Sequence, residues 1–165
     1  MIKFTIDVEK LKEKAGELSI PQMYLENPDL LLPKRSTGGS AGYDIIAPYT
    51  FDISGAGGGF YLMESFVKIE MSREFVAYMH VRSSTGIKRF IHLMNGTGII
   101  DSDFNKAIIV PLRCFVPQIK ERINAGERIA QIVFHKYFLT DDDEFKNNKL
   151  EDVKKRDGGI GSTGK

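Results

Sequence analysis

The chain has 165 residues, a length that suits one domain with its own hydrophobic core rather than two domains. Hydrophobic residues make up 42% and charged residues 27%, as in ordinary globular proteins, and 23 basic residues nearly balance 22 acidic ones. This balance argues against the broad basic surface that binds a nucleic-acid backbone, so phosphate binding would require a few arginines directed at one place.

The single cysteine, Cys114, excludes an internal disulfide and is typical of a reducing compartment. No apolar segment approaches the roughly 20 residues of a membrane span, and the first residues do not resemble a secretory signal. We therefore expect a cytoplasmic enzyme or binding module with no membrane or nucleic-acid partner.

Short apolar or alternating segments rich in Ile, Val, Phe and Tyr, separated by glycines, dominate the chain and predict an all-β sandwich or barrel. In chain order the predicted strands are 2–8, 43–47, 60–71, 75–81, 90–94, 107–116 and 128–138. One helix is predicted over 7–18, with Asp7 as its N-cap. Residues 55–59 predict a flexible hairpin turn rather than a dinucleotide loop, because Phe60 takes the last glycine position of that motif.

The composition changes after Leu139, and this change divides the chain into a β-rich part, 1–139, and a charged linker with a glycine-rich arm, 140–165. The second part cannot bury a core of its own, so it is either a flexible tail or an arm that orders on a ligand. Arg156, Ser162, Thr163 and several glycine amides give the arm a chemistry that suits phosphate.

Polar residues interrupt the predicted strands at two further places. Arg82 begins a turn after strand 75–81, and its guanidinium beside the Ser83 and Ser84 hydroxyls suits phosphate oxygens, although a solvated surface turn is an alternative. Gln131 places an amide inside an apolar strand, which requires hydrogen-bond partners. It either bridges two strands or presents its amide to an anion.

Residues 95–104 combine glycines with carboxylates. Gly96 and Gly98 allow a sharp turn and a close backbone approach, so the exposed amides and carbonyls could bind the edge of a planar base. Asp101 and Asp103 point to opposite sides if the segment is extended, so that one can face a pocket. The alternative is an Asx-rich β-turn without a ligand.

Five segments follow one another in a characteristic order. They are Ala41-Gly42-Tyr43-Asp44-Ile45, Arg82-Ser83-Ser84, Gly98-Ile99-Ile100-Asp101-Ser102-Asp103-Phe104, Arg128-Ile129-Ala130-Gln131-Ile132 and Arg156-Asp157-Gly158-Gly159-Ile160-Gly161-Ser162-Thr163-Gly164. This order resembles the five motifs of the trimeric dUTP pyrophosphatases, and the resemblance extends from about residue 32 to the last residue. It implies a distorted jelly roll or β-clip barrel with a mobile C-terminal arm.

The resemblance also implies a homotrimer with active sites shared between subunits, which hydrolyses dUTP to dUMP and pyrophosphate. This reaction keeps uracil out of DNA and supplies dUMP for dTMP synthesis. Asp101 would activate the attacking water, and a Mg²⁺ would bridge the phosphates, with Asp44 holding the waters of the ion. One chain would supply Asp44, Arg82, Ser83, Ser84 and Gln131, a second the hairpin 95–104, and the third its arm. The implied substrate-binding residues are Asn95, Gly98, Ile99, Ile100 and Phe104 for the nucleoside, Arg82, Ser83, Ser84 and Gln131 for the α- and β-phosphates, and Arg156, Ile160, Gly161, Ser162 and Thr163 in the arm.

Three positions depart from the family pattern. Phe104 stands where tyrosine is usual, Lys106 where glycine is usual, and Ile160 where an aromatic residue usually caps the uracil. These departures leave open a nucleotide sensor without catalysis and an enzyme that accepts a wider set of deoxynucleotides. The related dCTP deaminases use a glutamate shortly after the hairpin, which 107–112 does not provide. Residues 1–31 are longer than the family needs, and the sequence gives them no role.

Overall fold

The computed structural model describes residues 1–143. The predicted arm residues Arg156, Ile160, Gly161, Ser162 and Thr163 lie outside the described residues, so their roles remain predictions. The division of the chain at residue 139 also remains a prediction, because nearly all of the segment 140–165 lies outside the described residues.

Within residues 1–143 the protein consists mainly of short β-strands, so the all-β prediction is confirmed. The strands are β1 (Ile2–Ile6), β2 (Tyr43–Ile46), β3 (Phe51–Ser54), β4 (Phe60–Glu64), β5 (Val67–Met71), β6 (Phe75–Val81), β7 (Ile91–Leu93), β8 (Gly98–Ile100), β9 (Ile109–Cys114), β10 (Lys120–Ile123) and β11 (Arg128–Lys136). The helices are α1 (Val8–Lys14), α2 (Gln22–Glu26) and α3 (Ser83–Arg89).

The described strands pair in four antiparallel sheets. The largest has the order β2-β11-β6-β8, a second has the order β4-β9-β7, and two pairs, β1-β5 and β10-β3, complete the structure. The two larger sheets contribute their inward side chains to one core, in which Ile45, Ile132, Met63 and Leu112 are fully buried. Cys114 on β9 is also buried, with a free thiol. No helix of the described part is both long enough and apolar enough to cross a membrane.

The predicted helix is confirmed, although it is shorter than expected. The Asp7 carboxylate accepts a hydrogen bond from the backbone N–H of Lys10 at 3.2 Å, as an N-cap does. Burial alone would raise the pKa of Asp7, but its hydrogen bonds with Lys68 and Lys10 hold the pKa below its usual value. Helix α1 ends at Lys14, two residues before Gly16, since glycine is a poor helix former.

The predicted strand 60–71 is two strands, because the chain turns sharply at Ser65 and Phe66. Phe66 adopts a left-handed conformation with φ of 60°, although its ring is completely buried. The buried Ser65 hydroxyl donates to the carbonyl of Ile108 at 2.6 Å and accepts from the N–H of Val67 at 3.2 Å. These contacts satisfy the polar groups of the turn inside the core.

Three other local predictions need correction. Residues 83–89 form a helix rather than the predicted turn. Residues 55–59 do form a turn, but it is not a hairpin, because β3 and β4 belong to different sheets. Strands β3, β8 and β10 were not predicted, since each has only three or four residues and β10 is mostly charged.

Candidate active site

Four of the predicted phosphate-binding residues lie on or beside the largest sheet. The register places Asp44 of β2 opposite Gln131 of β11, and Gln131 opposite His80 of β6. Arg82 follows β6 directly, and the exposed Ser83 and Ser84 begin α3. The sheet therefore brings the side chains of three separate motifs to one place, which is the grouping that the family resemblance implied.

Asp44 is the centre of this group because two arginines converge on its carboxylate. Its Oδ1 lies 2.9 Å from Nε of Arg82 and its Oδ2 lies 3.3 Å from Nη1 of Arg128. The Ser36 hydroxyl donates to Oδ2 at 2.8 Å, and Arg128 Nη1 lies 2.8 Å from the Ser36 oxygen. We call Ser36, Asp44, Arg82, Arg128 and Gln131 the arginine–aspartate cluster. Two guanidinium groups against one carboxylate leave this cluster with a net positive charge, which favours an anion.

Arg128 and Ser36 were not among the predicted site residues. Arg128 stands at the start of a quoted motif, so its charge beside an apolar strand was a signal that could have been used. Ser36 precedes the first motif by several residues and gave no comparable signal.

Gln131 is placed by a close backbone approach. Its Nε2 donates to the carbonyl of Val81 at 3.4 Å, so the side chain bridges β11 and the end of β6. A Cβ at Gly42 would lie 2.3 Å from Gln131 Oε1, so only glycine leaves room for the amide. Bridging is therefore observed, while an anion contact of the same amide remains a prediction.

The predicted nucleoside-binding residues line a separate cavity of about 610 Å³. Gly98 lies so near Met79 that an added Cβ would be 2.9 Å from the Met79 Cε, so a larger residue would displace the Met79 side chain. Strand β8 is an edge strand of the described sheet, so one side of its backbone is not used by a neighbouring strand there. The cavity lining includes Asn95, Gly98, Ile99, Ile100, Asp101, Phe104 and Lys106, together with Lys10 of the N-terminal extension and the apolar Phe60, Leu62, Met79 and Met94.

The two carboxylates of segment 95–104 line different cavities, although the extended conformation from which the sequence analysis argued is not observed. Asp101 lines the larger cavity, whereas Asp103 lines a smaller one of about 320 Å³ beside β5. A turn rather than an extended strand separates them, since the Phe104 N–H donates to the Asp101 carbonyl at 3.1 Å. The departures at Phe104 and Lys106 both lie on the larger cavity.

Within one chain, Asp101 and the arginine–aspartate cluster lie far apart. The register pairs Ala77 with Ile100, so Asp101 is level with Val76, six residues before Arg82. At about 3.3 Å per residue this separates them by about 20 Å along the strand. The Arg82 side chain also extends over β11 towards Asp44, away from β8. Within one chain, Asp101 is therefore not in contact with the arginine–aspartate cluster.

The described residues contain no group of three His, Cys, Asp or Glu side chains that could hold a metal ion. Both oxygens of Asp44 are engaged by arginines, which would repel a bare cation. This carboxylate therefore fits a hydrated Mg²⁺ only when an anionic ligand supplies most of the negative charge and the other oxygens.

Comparison with known proteins identifies the family of the chain. A sequence profile described as dUTPase matches residues 29–164. The deoxyuridine 5′-triphosphate nucleotidohydrolase of Lactococcus lactis is 38% identical over 145 residues, which are 84% of this chain and 91% of the relative. The crystal structure of dUTPase from Streptococcus mutans is 35% identical with a TM-score of 0.62, covering 68% of this chain and 91% of that one. A dUTPase from phage phi11 of S. aureus, studied for its coordination of a structural Mg(II) ion, shares the fold at 17% identity and a TM-score of 0.59, covering 66% and 85% of the two chains. The predicted jelly-roll-like fold is thus confirmed, and the chain belongs to the dUTPase family.

Proposed function

We propose that this protein hydrolyses dUTP to dUMP and pyrophosphate. The observation that carries the proposal is the cavity that joins Asp101 to the backbone of an edge strand, in a chain of the dUTPase family. This arrangement places a carboxylate beside backbone groups that can bind the edge of a planar base.

The nucleoside occupies the cavity lined by segment 95–104. The free backbone edge of β8 binds the polar edge of uracil, together with the Asn95 amide. The ring of Phe104 lies under the deoxyribose and leaves no room for a 2′-hydroxyl. The hydroxyl group of the usual tyrosine is absent, but the ring surface is retained.

The triphosphate occupies the arginine–aspartate cluster. Arg82 and the Gln131 amide bind the α- and β-phosphates with Ser83 and Ser84, whose exposed N–H groups in the first turn of α3 have no partner within the helix. The residues Arg156, Ile160, Gly161, Ser162 and Thr163 close over the base and the γ-phosphate from the C-terminal arm.

The active site is shared between subunits of a homotrimer. The separation of about 20 Å between Asp101 and Arg82 in one chain supports this assembly, because both must act on one nucleotide. One subunit provides the cavity lined by segment 95–104 and a neighbour provides the arginine–aspartate cluster. A ring of three such contacts is the closed form of a head-to-tail interface.

Catalysis depends on positioning and on charge. Asp101 accepts a proton from a water molecule, and the oxygen of that water attacks a phosphorus. The P–O bond to the leaving group breaks, and pyrophosphate departs. Arg82 neutralises the charge on the phosphate oxygens. A Mg²⁺, when bound, would neutralise the leaving phosphates and would be held by the triphosphate and by waters on Asp44.

We place the protein in the cytoplasm, where the free thiol of Cys114 would persist. There the reaction limits the dUTP available for incorporation into DNA and supplies dUMP.

The test is turnover by the purified protein with Mg²⁺ and, separately, dUTP, dCTP, dTTP and UTP, with the variant Asp101→Asn in parallel. We expect dUMP and pyrophosphate from dUTP and a loss of at least about a hundredfold in the variant. Release of dUTP from dCTP would instead indicate a deaminase. Tight dUTP binding without any product would indicate a nucleotide sensor.

A further inference from the structure

Arg89 lies outside the residues so far assigned to the site, yet its guanidinium contacts strand β10 and Glu127, the residue that precedes Arg128 of the arginine–aspartate cluster. It stands in the last turn of α3, the helix that begins directly after Arg82. Its Nε lies 2.6 Å from Oε2 of Glu121 on β10, and its Nη2 donates to the carbonyl of Arg122 at 2.6 Å. Its Nη1 lies 2.5 Å from Oε2 of Glu127. All three nitrogens are therefore bound.

Glu127 is itself held firmly and precedes Arg128 directly. Its Oε1 accepts hydrogen bonds from the backbone N–H of Asn124 at 2.8 Å and from the Asn124 amide at 2.6 Å. Burial alone would raise the pKa of Glu127, but the bonds from Asn124 and Arg89 keep it below its usual value. Its carbonyl accepts from the N–H of Ala47, one residue beyond the strand that carries Asp44.

The contacts form a closed frame around Asp44. Helix α3 begins directly after Arg82 and ends at Arg89. Arg89 in turn binds Glu127, and Arg128 is the next residue of the chain. The frame is closed at the other end because the Arg82 N–H donates to the Ile129 carbonyl at 3.1 Å and Arg82 Nη1 donates to the Arg128 carbonyl at 3.4 Å. Arg89 is therefore connected to Arg82 through α3 and to Arg128 through Glu127.

We propose that Arg89 is a positioning residue for phosphate binding, which fixes α3 and the start of β11 so that Arg82 and Arg128 converge on one ligand. This inference rests on the proposed function of the arginine–aspartate cluster. Without the guanidinium, the carboxylates of Glu121 and Glu127 would face each other without their shared cation. Their repulsion would move Glu127 and with it Arg128.

The variant Arg89→Met tests the inference, with Lys88→Met as its matched control. Lys88 is an exposed residue of the same helical turn with the same charge. We expect kcat/KM for dUTP to fall on the order of 10- to 100-fold in Arg89→Met and to stay within about twofold of the wild type in Lys88→Met. Arg89→Lys, which keeps the charge but cannot fork between two carboxylates, should show an intermediate loss.

Two ligands distinguish positioning from general destabilisation. A non-hydrolysable imido analogue of dUTP should bind Arg89→Met about tenfold more weakly, because it uses the arginine–aspartate cluster. Deoxyuridine has no phosphate, so its inhibition constant as a competitive inhibitor should be the same for Arg89→Met as for the wild type. This comparison requires that Arg89→Met has the oligomeric size of the wild type. An equal loss for both ligands, or wild-type kinetics in Arg89→Met, would overturn the inference. If Arg89→Met does not fold, the same comparison in Arg89→Lys decides.

The two proposals fail in different ways. A wild-type protein that binds the analogue but produces no dUMP would refute the proposed hydrolysis. The effect of Arg89→Met on binding of the analogue would still test the positioning role.

Discussion

The separation of Asp101 from Arg82 within one chain makes a complementation experiment decisive. We consider two variants that each lack one side of the active site, Asp101→Asn and Arg82→Gln. Either variant alone should be nearly inactive, because every site in its homotrimer lacks one of the two groups. Mixed trimers should regain activity wherever an intact Asp101 of one subunit meets an intact Arg82 of its neighbour.

The expected recovery follows from random assembly. If a fraction f of the chains carries Asp101→Asn and the rest carry Arg82→Gln, a given site is intact with probability f(1−f). At equal amounts of the two variants, the expected activity is therefore about one quarter of that of the wild type. At a ratio of three to one the recovery should fall to about three sixteenths. The two parents would be mixed in denaturant, refolded together and assayed for pyrophosphate release per chain.

The result that would refute the reasoning is equally specific. If both groups acted within one chain, no mixture would contain an intact site, and activity would not exceed the sum of the parents at any ratio. A control with the parents refolded separately and then combined should show no immediate gain. A slow rise in that control would measure subunit exchange.

Three further predictions follow from close contacts. Gly42→Ala should raise KM for dUTP about tenfold, measured by steady-state kinetics, because the new Cβ would displace the Gln131 amide. Gly55→Ala should destabilise the protein by about 2–3 kcal/mol in urea unfolding, because a Cβ there would lie 1.9 Å from the Val116 carbonyl oxygen, and an unchanged midpoint would contradict this. Because the pKa of Glu127 is lowered on folding, its stabilising contribution should be complete above the ordinary value of about 4.5 and disappear as pH falls through the lowered pKa. Urea unfolding of Glu127→Gln and wild type should therefore differ at pH 7 and converge in acid.

The sequence predicted most of the sheet because alternation and β-branched residues report burial directly. The strands at 43–47, 75–81 and 128–138 agree with the observed β2, β6 and β11 to within two residues at either end. The break inside 60–71 could not be predicted, since Phe66 is apolar and its left-handed backbone is stabilised by contacts distant in sequence. Strand β10 has too few apolar residues to produce a periodic signal.

The candidate site was predicted less completely than the fold. The family resemblance implied that Asp44, Arg82 and Gln131 come from one chain and Asp101 from another. The structure brings the first three side chains together, while their roles and that of Asp101 remain predictions. The pairing of Arg128 with Asp44 depends on how β2 and β11 align, which single-strand patterns do not reveal. The contacts of Arg89 were likewise missed, because its carboxylate partners lie more than 30 residues away in sequence.

The engagement of Asp44 by two arginines has a consequence for the thermodynamics of ligand capture. A free arginine side chain has about 2 kcal/mol of rotamer entropy, which is lost when a ligand immobilises it. Asp44 restricts the side chains of Arg82 and Arg128 before any nucleotide arrives, so much of this entropy is lost during folding. Binding then requires little additional ordering of these two residues, and the cluster is pre-organised for an anion.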